Sequence, residues 1–232
     1  MILSHKHKFI FVKTKKTAGT SVEIALSRNL GKNDIITPIA PDDELLRLKS
    51  PGPGPQNYLE SSYREYGLRD WTRFVLRGRR KERFFNHIPA SQIRHRVGPE
   101  VWDKYFKFTI ERNPWDKVVS LHSHHKAIGN EEGRLSLHEF VKSGASSLAS
   151  DFDTYCVDGR NAMDFVCRYE TLQKDLDTVC ERLGLPTLEL PRAKGQYRTD
   201  NRPYAELFDE ETRAKVAHDF RREIQMFGFD SV

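Results

Sequence analysis

The order of apolar and polar positions near the start of the chain predicts a strand that ends in a polar loop. Residues 9–12, FIFV, form a short, β-prone apolar run that is typical of a buried central strand. From Ser21 the apolar residues recur at a spacing that suits a helix packed on a sheet. The loop between them, residues 13–21 (KTKKTAGTS), is rich in ammonium groups, hydroxyls and backbone N–H donors. Because unpaired N–H groups and the positive end of a helix dipole attract anions, this strand–loop–helix unit predicts a phosphate site.

The loop does not have the sequence of an ATPase loop. A Walker A motif places its lysine after two glycines and before a Ser or Thr. The Gly-Lys pair of this chain, Gly31-Lys32, is followed by Asn33, and in the loop itself Lys16 precedes Gly19. The alternative interpretation is an ordinary helix N-cap with its lysines in solvent.

A second polar segment follows a second predicted central strand, at 105–111, whose residues alternate and include β-branched and aromatic types. The segment reads RNPWDKVVS. Pro114 suits the first turn of a helix, so Asn113 is a natural N-cap. Ser120 then lies about two turns beyond Arg112, and the two side chains could bind one phosphate between them. Taken alone, Arg112 fits a salt bridge equally well.

The stretch between these two units is irregular and basic. Residues 37–57 contain five prolines and two glycines, which predicts a long loop or a lid. Residues 58–83 are amphipathic and aromatic, and they end in the basic run 77–83. That run is most simply a solvated helix end; an anionic acceptor or nucleic acid is the alternative partner.

Two groups of histidines are candidates for chemistry. Residues 84–90, FFNHIPA, predict a short strand that ends at His87. This histidine either caps the helix that starts after Pro89 or faces a ligand at the loop side of an open α/β sheet. The second group consists of His122, His124 and His125. It carries no carboxylate motif such as H-E-x-x-H, so we expect no metal there.

Composition limits the class of protein. A chain of 232 residues with 38% hydrophobic and 31% charged residues fits one soluble α/β domain. The net charge of +5 favours an anionic ligand without requiring nucleic acid. Three cysteines without C-x-x-C spacing predict reduced thiols, and the apolar run at the N-terminus is too short for a signal peptide or a membrane anchor. These features predict a cytoplasmic protein.

In combination, the motifs resemble those of the sulfotransferases that use 3′-phosphoadenosine 5′-phosphosulfate (PAPS). Two units occur in the order found in that family. The first is a strand followed by KTAGTS, and the second is a later strand followed by R-N-P with a serine six residues after the proline. The likeness is closest to the carbohydrate-type branch, which includes heparan sulfate 2-O-sulfotransferases and small bacterial members. Residues 84–126 match its H-x-x-A, W-D-x-Y-F-K-F and R-N-P-W-D blocks, and 165–172 and 209–229 match later segments. The resemblance spans nearly the whole chain. It implies one P-loop-like α/β domain over 1–232, with a mainly parallel central sheet flanked by helices.

The resemblance also implies roles for individual residues. Lys16 would stabilise the leaving phosphate, and His87 would be the general base. The loop would bind the 5′-phosphosulfate, Arg112 and Ser120 the 3′-phosphate, and Tyr169 would lie near the adenine. Two departures from the family pattern are Lys15, where proline is usual, and residues 192–198, which match the family's closing loop only loosely. The complete set assigned to the donor is Lys15, Lys16, Thr17, Ala18, Gly19, Thr20, Ser21, Arg112, Ser120, Tyr169, Lys194 and Gly195.

The implied reaction is an in-line displacement on sulfur, which needs positioning and charge stabilisation rather than a metal. An imidazole meets the need for a base near neutral pH, with Glu111 and His95 as runners-up. The acceptor would be a hydroxyl of a carbohydrate, with an anionic glycan as one candidate, or of a small molecule, and the region 38–83 would form the acceptor side of the site. The desulfated product would be PAP. A P-loop nucleotide kinase and a basic nucleic-acid-binding module are the rival classes.

Overall fold

The fold is built on a five-stranded sheet. The computed structural model describes residues 1–191 and 202–230. The sheet has the strand order β3-β1-β2-β4-β7, and a separate two-stranded ribbon pairs β5 with β6. In chain order the strands are β1 (Ile2–Ser4), β2 (Phe9–Phe11), β3 (Ile35–Ile36), β4 (Phe106–Glu111), β5 (Cys156–Val157), β6 (Arg160–Asn161) and β7 (Phe165–Arg168).

Four of the five strands in the central sheet run in the same direction. β2 pairs with β4 and β4 pairs with β7 in parallel, whereas β1 is antiparallel to both of its neighbours, β2 and β3. The prediction of a mainly parallel α/β sheet is therefore confirmed. The carboxyl ends of β2, β4 and β7 lie side by side at one edge, which is where open α/β sheets bind ligands.

Helices cover both faces of this sheet. Along β2, Phe9 and Phe11 pack into a core with α1 and α8, while Ile10 faces the opposite core with α4 and α7. A third core joins α5, α6 and α9 beside the sheet. The helices are α1 (Gly19–Ser27), α2 (Pro41–Leu48), α3 (Leu68–Arg77), α4 (Ala90–Lys104), α5 (Pro114–Ile128), α6 (Leu137–Lys142), α7 (Phe152–Tyr155), α8 (Leu172–Leu183), α9 (Glu210–Asp219) and α10 (Arg221–Phe227).

Two local predictions differ from the structure. The expected strand at 84–90 is wrong, because residues 84–87 form a turn in which His87 has a φ of +58°. The first residues of the chain, for which no strand was predicted, form β1 and extend the sheet by antiparallel pairing with β2. Three residues are too few for periodicity to reveal a strand. No helix in the described part of the chain is long and apolar enough to cross a bilayer.

Candidate functional site

The loop between β2 and α1 is shaped to receive an anion. Lys16 and Ala18 adopt left-handed backbone conformations, with φ of +58° and +60°. Alternation of left- and right-handed residues turns successive N–H groups toward one concavity. Among the described residues, no side chain caps the N-terminus of α1, and its first turn contains no acidic residue. No acidic side chain of the first turn therefore offsets the positive end of the α1 dipole, which favours a ligand phosphate at this end.

Buried side chains hold this loop from below. Lys13 points inward, where its Nζ donates to Glu23 of α1 at 2.6 Å. Burial alone would raise the pKa of Glu23, but the charges of Lys13 and of the Met1 amino group lower it to about 2. Gly19 packs directly on this lysine, because a Cβ at Gly19 would lie 2.9 Å from Lys13 Cγ. The loop thus rests on a buried ion pair that is not part of the predicted donor set.

The threonines of the loop are buried, and two of them hold its backbone in place. Thr17 is completely buried, and its hydroxyl hydrogen-bonds the hydroxyl of Thr14 at 2.9 Å. Thr14 in turn donates to the carbonyl of Ile110 in β4, which ties the loop to the neighbouring strand. The contribution of Thr17 to a bound phosphate would therefore come through its backbone N–H. Thr20 and Ser21 lie in the first turn of α1 and are also buried.

Arg112 links the end of β4 to the loop. Its Nη1 donates to the carbonyl of Lys16 at 3.0 Å, and its Nε and Nη2 contact one oxygen of Asp116 at 2.8 and 2.7 Å. The guanidinium carbon lies 4.0 Å from the ring centroid of Tyr169, which follows β7. These three bonds use three of the five guanidinium N–H groups, so within the described residues two are left with which it could hold a phosphate oxygen. The structure thus brings together Lys16, Arg112 and Tyr169.

The helix that starts after Arg112 begins as its sequence indicates. Asn113 is the N-cap, and its side chain accepts a bond from the Trp115 N–H at 3.1 Å. Its own N–H donates to Glu170 at 2.8 Å, which fastens this strand end to the segment after β7. Ser120 lies half-buried on α5, about two turns along. The predicted positions of Asn113 and Ser120 on one helix are confirmed.

His87 reaches the same loop from a separate turn. Its Nδ1 lies 3.1 Å from the carbonyl oxygen of Lys13. Since a carbonyl only accepts hydrogen bonds, this contact places the proton on Nδ1 and leaves Nε2 as the basic nitrogen of the neutral ring. Burial, followed by the positive charge of Lys13, lowers the pKa of His87 to about 4. The ring is therefore neutral at physiological pH, and its left-handed backbone is strained in the way often found at functional sites.

A buried network that the sequence did not reveal supports the loop from behind. The Nζ of Lys117, on α5, contacts Glu111 at 2.6 Å and Asp151 at 2.8 Å. The same oxygen of Asp151 accepts the N–H of Lys15 at 2.8 Å. Burial opposes the charge of Lys117, but its pKa is raised because Asp151 and Glu111 both stabilise the cation. The carboxylate of Asp151 therefore fixes the loop backbone beside Lys16.

The buried network bears on the choice of general base, for which Glu111 and His95 are the alternatives to His87. Glu111 is completely buried against Lys117, and burial raises the pKa of its carboxyl group. His95 lies exposed on α4. Neither has a contact with the loop like that of His87. The sequence signal for the network is weak: Lys117 is a lysine amid apolar residues of α5, and Asp151 is far away in the chain.

Some sequence predictions concern other parts of the chain. Lys194 and Gly195 lie outside the described residues. His122 donates a hydrogen bond from its Nε2–H to the carbonyl of Leu135 at 2.8 Å, as a structural histidine would. Within the described ranges, no three His, Cys, Asp or Glu side chains are grouped so that they could bind a metal.

Comparison with known proteins is consistent with this geometry. The model of the sulfotransferase family matches residues 1–230. The chain belongs to the sulfotransferase family. An uncharacterized protein of Archaeoglobus fulgidus is 41% identical over 102 residues, which make up 43% of this chain and 84% of that protein. The crystal structure of a sulfotransferase from Alicyclobacillus acidocaldarius is 18% identical with a TM-score of 0.40, over 95% of each chain.

The strand ends of this sulfotransferase account for how the site is assembled. β2 leads into the loop, β4 leads into Arg112, and β7 leads into Tyr169. Because these three strands are adjacent and parallel, their following residues meet at one edge of the sheet. His87 enters from outside the sheet, which explains why strand patterns alone could not place it.

Proposed function

We propose that this sulfotransferase moves a sulfuryl group from PAPS to an acceptor hydroxyl. The observation that supports this most is the contact of Arg112 with both the Lys16 carbonyl and the Tyr169 ring, beside an uncapped helix N-terminus. A nucleotide with phosphates at two separate positions needs two anion-binding groups. The loop and the guanidinium are two such groups, held against each other.

The residues of the site fit such a donor. Bound PAPS would supply an activated sulfuryl group whose transfer leaves negative charge on the 5′-phosphate. The loop N–H groups and Lys16 would bind that end, and Lys16 would stabilise the developing charge more than the ground state. Arg112 and Ser120 would bind the 3′-phosphate, with Tyr169 beside the adenine. Asp151 and Lys117 would keep the loop in place without touching the ligand.

His87 would accept the proton of the acceptor hydroxyl. Its Nδ1–H is engaged by the Lys13 carbonyl, so Nε2 carries the lone pair that takes the proton. With a pKa of about 4 the imidazole is a weak base in the ligand-free protein. Negative charge of a bound donor would raise that pKa by stabilising the imidazolium. Donor binding would thereby strengthen the base when it is needed.

The acceptor we propose is a carbohydrate or small-molecule hydroxyl rather than a nucleic acid. The basic residues near His87 in the chain suit an acceptor that carries negative charge, such as an anionic glycan. A nucleotide kinase is the main rival, because its donor would also sit on a loop before a helix. The absence of the Gly-Lys-Ser/Thr order from the loop sequence argues against it.

Binding and turnover experiments test the proposal. Calorimetric titration should show PAP bound far more tightly than ATP, and equal affinity would refute the assignment of the donor. With labelled PAPS and a panel of sugars and small hydroxyl compounds, Lys16→Met should lower turnover by about 10²- to 10³-fold, as loss of an oxyanion-stabilising group does. Lys32→Met, in the Gly31-Lys32 pair outside the loop, is the matched control and should be active.

A further inference from the structure

Residues 58–84 form an arm that leaves the domain and returns to the same place. At its base the carbonyl of Tyr58 accepts the N–H groups of Arg83 and Phe84 at 2.8 and 2.9 Å, and the Glu60 N–H donates to Lys81 at 2.9 Å. Leu59 and Glu82 are paired across this base in an antiparallel bridge. The two ends are therefore fixed together, and α3 lies between them.

The arm has a small aromatic core of its own. The ring centroids of Tyr63, Tyr66, Trp71 and Phe74 lie 5.2 to 6.2 Å from one another. The hydroxyl of Tyr66 also accepts the N–H of Lys81 at 3.0 Å. None of the residues of α3 is buried. The helix is thus held by this cluster, with the rest of its surface directed to solvent.

The outer surface of α3 is strongly apolar. Leu68, Val75 and Leu76 are 87%, 74% and 80% exposed. Their spacing of seven and eight residues puts them on one stripe of the helix. Leu68 and Leu76 are more exposed than the other large apolar side chains in the described ranges. Such a cluster on one short helix marks an interaction surface rather than ordinary surface composition.

Positive charge lies next to this stripe and concentrates in the arm. Arg69, Arg73 and Arg77 follow one another at a spacing of four residues, from the border of the apolar stripe at Arg69 round to the polar side of the helix at Arg77. Residues 58–84 contain eight arginines and lysines and four acidic residues, a net charge of +4, whereas the whole chain carries +5. A partner of this surface must therefore offer negative charge and apolar groups together.

We propose that the arm docks on the surface of an anionic lipid bilayer. Leu68, Val75 and Leu76 enter the boundary of the acyl chains, while the arginines contact the phosphate head groups. Trp71, 41% exposed, suits the depth of the head groups. With 10 residues, α3 is about 15 Å long and lies in the plane of the interface. A soluble polyanion would satisfy the arginines but would leave the leucines in water.

The arm is also close in the chain to the proposed base. Only two residues, Phe85 and Asn86, separate its last residue from His87, whose ring contacts the loop. Docking through the arm would therefore bring a membrane within the neighbourhood of the site. The docking itself requires only the arm and not the reaction.

Vesicle flotation with the full chain tests this proposal. We expect binding to vesicles that contain phosphatidylglycerol and little binding to pure phosphatidylcholine. Replacing the stripe, L68S/V75S/L76S, should weaken binding by about tenfold or more, and R69Q/R73Q/R77Q should do the same and reduce the salt dependence. Because all six side chains project from an unburied helix, far-UV circular dichroism and melting should be unchanged.

The matched control removes exposed leucines elsewhere. Leu45 and Leu48 on α2 are 59% and 71% exposed, so L45S/L48S should bind vesicles like the wild type. Absence of vesicle binding by the wild type, or equal binding by the stripe variant, would overturn the proposal. So would a wild type that forms dimers dispersed by the stripe variant, or that binds heparin but not lipid.

Discussion

Arg112→Ala is the substitution that tests the reading of the donor most directly. The guanidinium touches the loop at Lys16 and stacks on Tyr169, and its bonds with Lys16 and Asp116 leave two N–H groups unused in the part of the chain that the structure describes. If these groups bind a 3′-phosphate, their loss should affect nucleotides that have that phosphate and spare those that lack it. The substitution therefore tests recognition of one chemical group.

The expected size of the effect follows from the contacts. A hydrogen bond between charged groups contributes about 1.5–3 kcal/mol net. The free energy of two guanidinium bonds to a phosphate should therefore be clearly larger than that of one hydrogen bond between neutral groups. The carboxylate of Asp116, 2.7 Å from Nη2, repels the same phosphate and offsets part of this. We expect a coupling of about 2–3 kcal/mol between Arg112 and the 3′-phosphate, or about 30- to 150-fold in affinity.

The assay is a thermodynamic cycle by calorimetry. Wild type and Arg112→Ala are each titrated with PAP and with adenosine 5′-monophosphate, which lacks the 3′-phosphate. The dissociation constant for adenosine 5′-monophosphate divided by that for PAP should fall by about 30- to 150-fold in the variant, the factor given above. This holds whatever the substitution does to the loop itself, because an effect on the loop changes both constants alike. Arg112→Lys should recover part of the ratio, because an ammonium keeps the charge but not the fork.

Arg168→Ala is the matched control for Arg112→Ala, and one outcome of the titrations would refute binding of the 3′-phosphate by Arg112. Arg168 ends the adjacent strand and stacks on Phe229 at 5.0 Å, so it is a second arginine in a similar setting. Its loss should leave the ratio unchanged. If Arg112→Ala weakens both nucleotides equally, Arg112 supports the loop and does not bind the 3′-phosphate.

Three further predictions concern the base, the buried network and the loop glycine. His87→Asn should abolish turnover yet keep PAP binding and stability, because Asn tolerates the left-handed backbone. In the wild type the pKa of His87 is lowered from 6.5 to about 4, so the free energy of unfolding should decline as the pH falls from 6.5 to 4. A decline of equal size in His87→Asn would contradict the assignment of this pH dependence to His87. Asp151→Ala should cost about 3–5 kcal/mol in urea unfolding by leaving Lys117 with one carboxylate, while Asp153→Ala, at an exposed ion pair, should change little; equal effects would refute the role of the network. Gly19→Ala should weaken PAP binding, because its Cβ would lie 2.9 Å from Lys13 Cγ, and unchanged affinity would show that the loop adjusts freely.

The sequence was sufficient for the parts of the fold that depend on local pattern. The apolar runs located β2 and β4, and Pro114 with Asn113 located the start of α5 to the residue. These signals work because strand burial and helix capping are decided by neighbours in the chain. The order of the strands, by contrast, depends on pairings between distant segments.

The parts that sequence reasoning missed depend on long-range contacts. Asp151 reaches Lys15 across more than a hundred residues, and nothing in its own neighbourhood marks it as a buried ion-pair partner. The turn at His87 was predicted as a strand because its apolar neighbours fit a short buried run. What fixes the turn is packing of those neighbours and the bond from Nδ1 to Lys13.

The start of α5 fixes the positions of two residues on opposite sides of the loop, Arg112 and Lys117. Pro114 and the Asn113 cap begin α5 directly after β4, so Arg112 stays at the strand end and points to the loop. Lys117, just over one turn beyond Arg112, lies on the buried side, where it neutralises Asp151 behind the same loop. Isolated burial of a lysine and two carboxylates would be costly, but here each carboxylate also accepts a backbone N–H, Asp151 that of Lys15 and Glu111 that of Arg112. The segment that we propose to bind phosphate thus also fixes the rigid backing that a preorganised anion site requires.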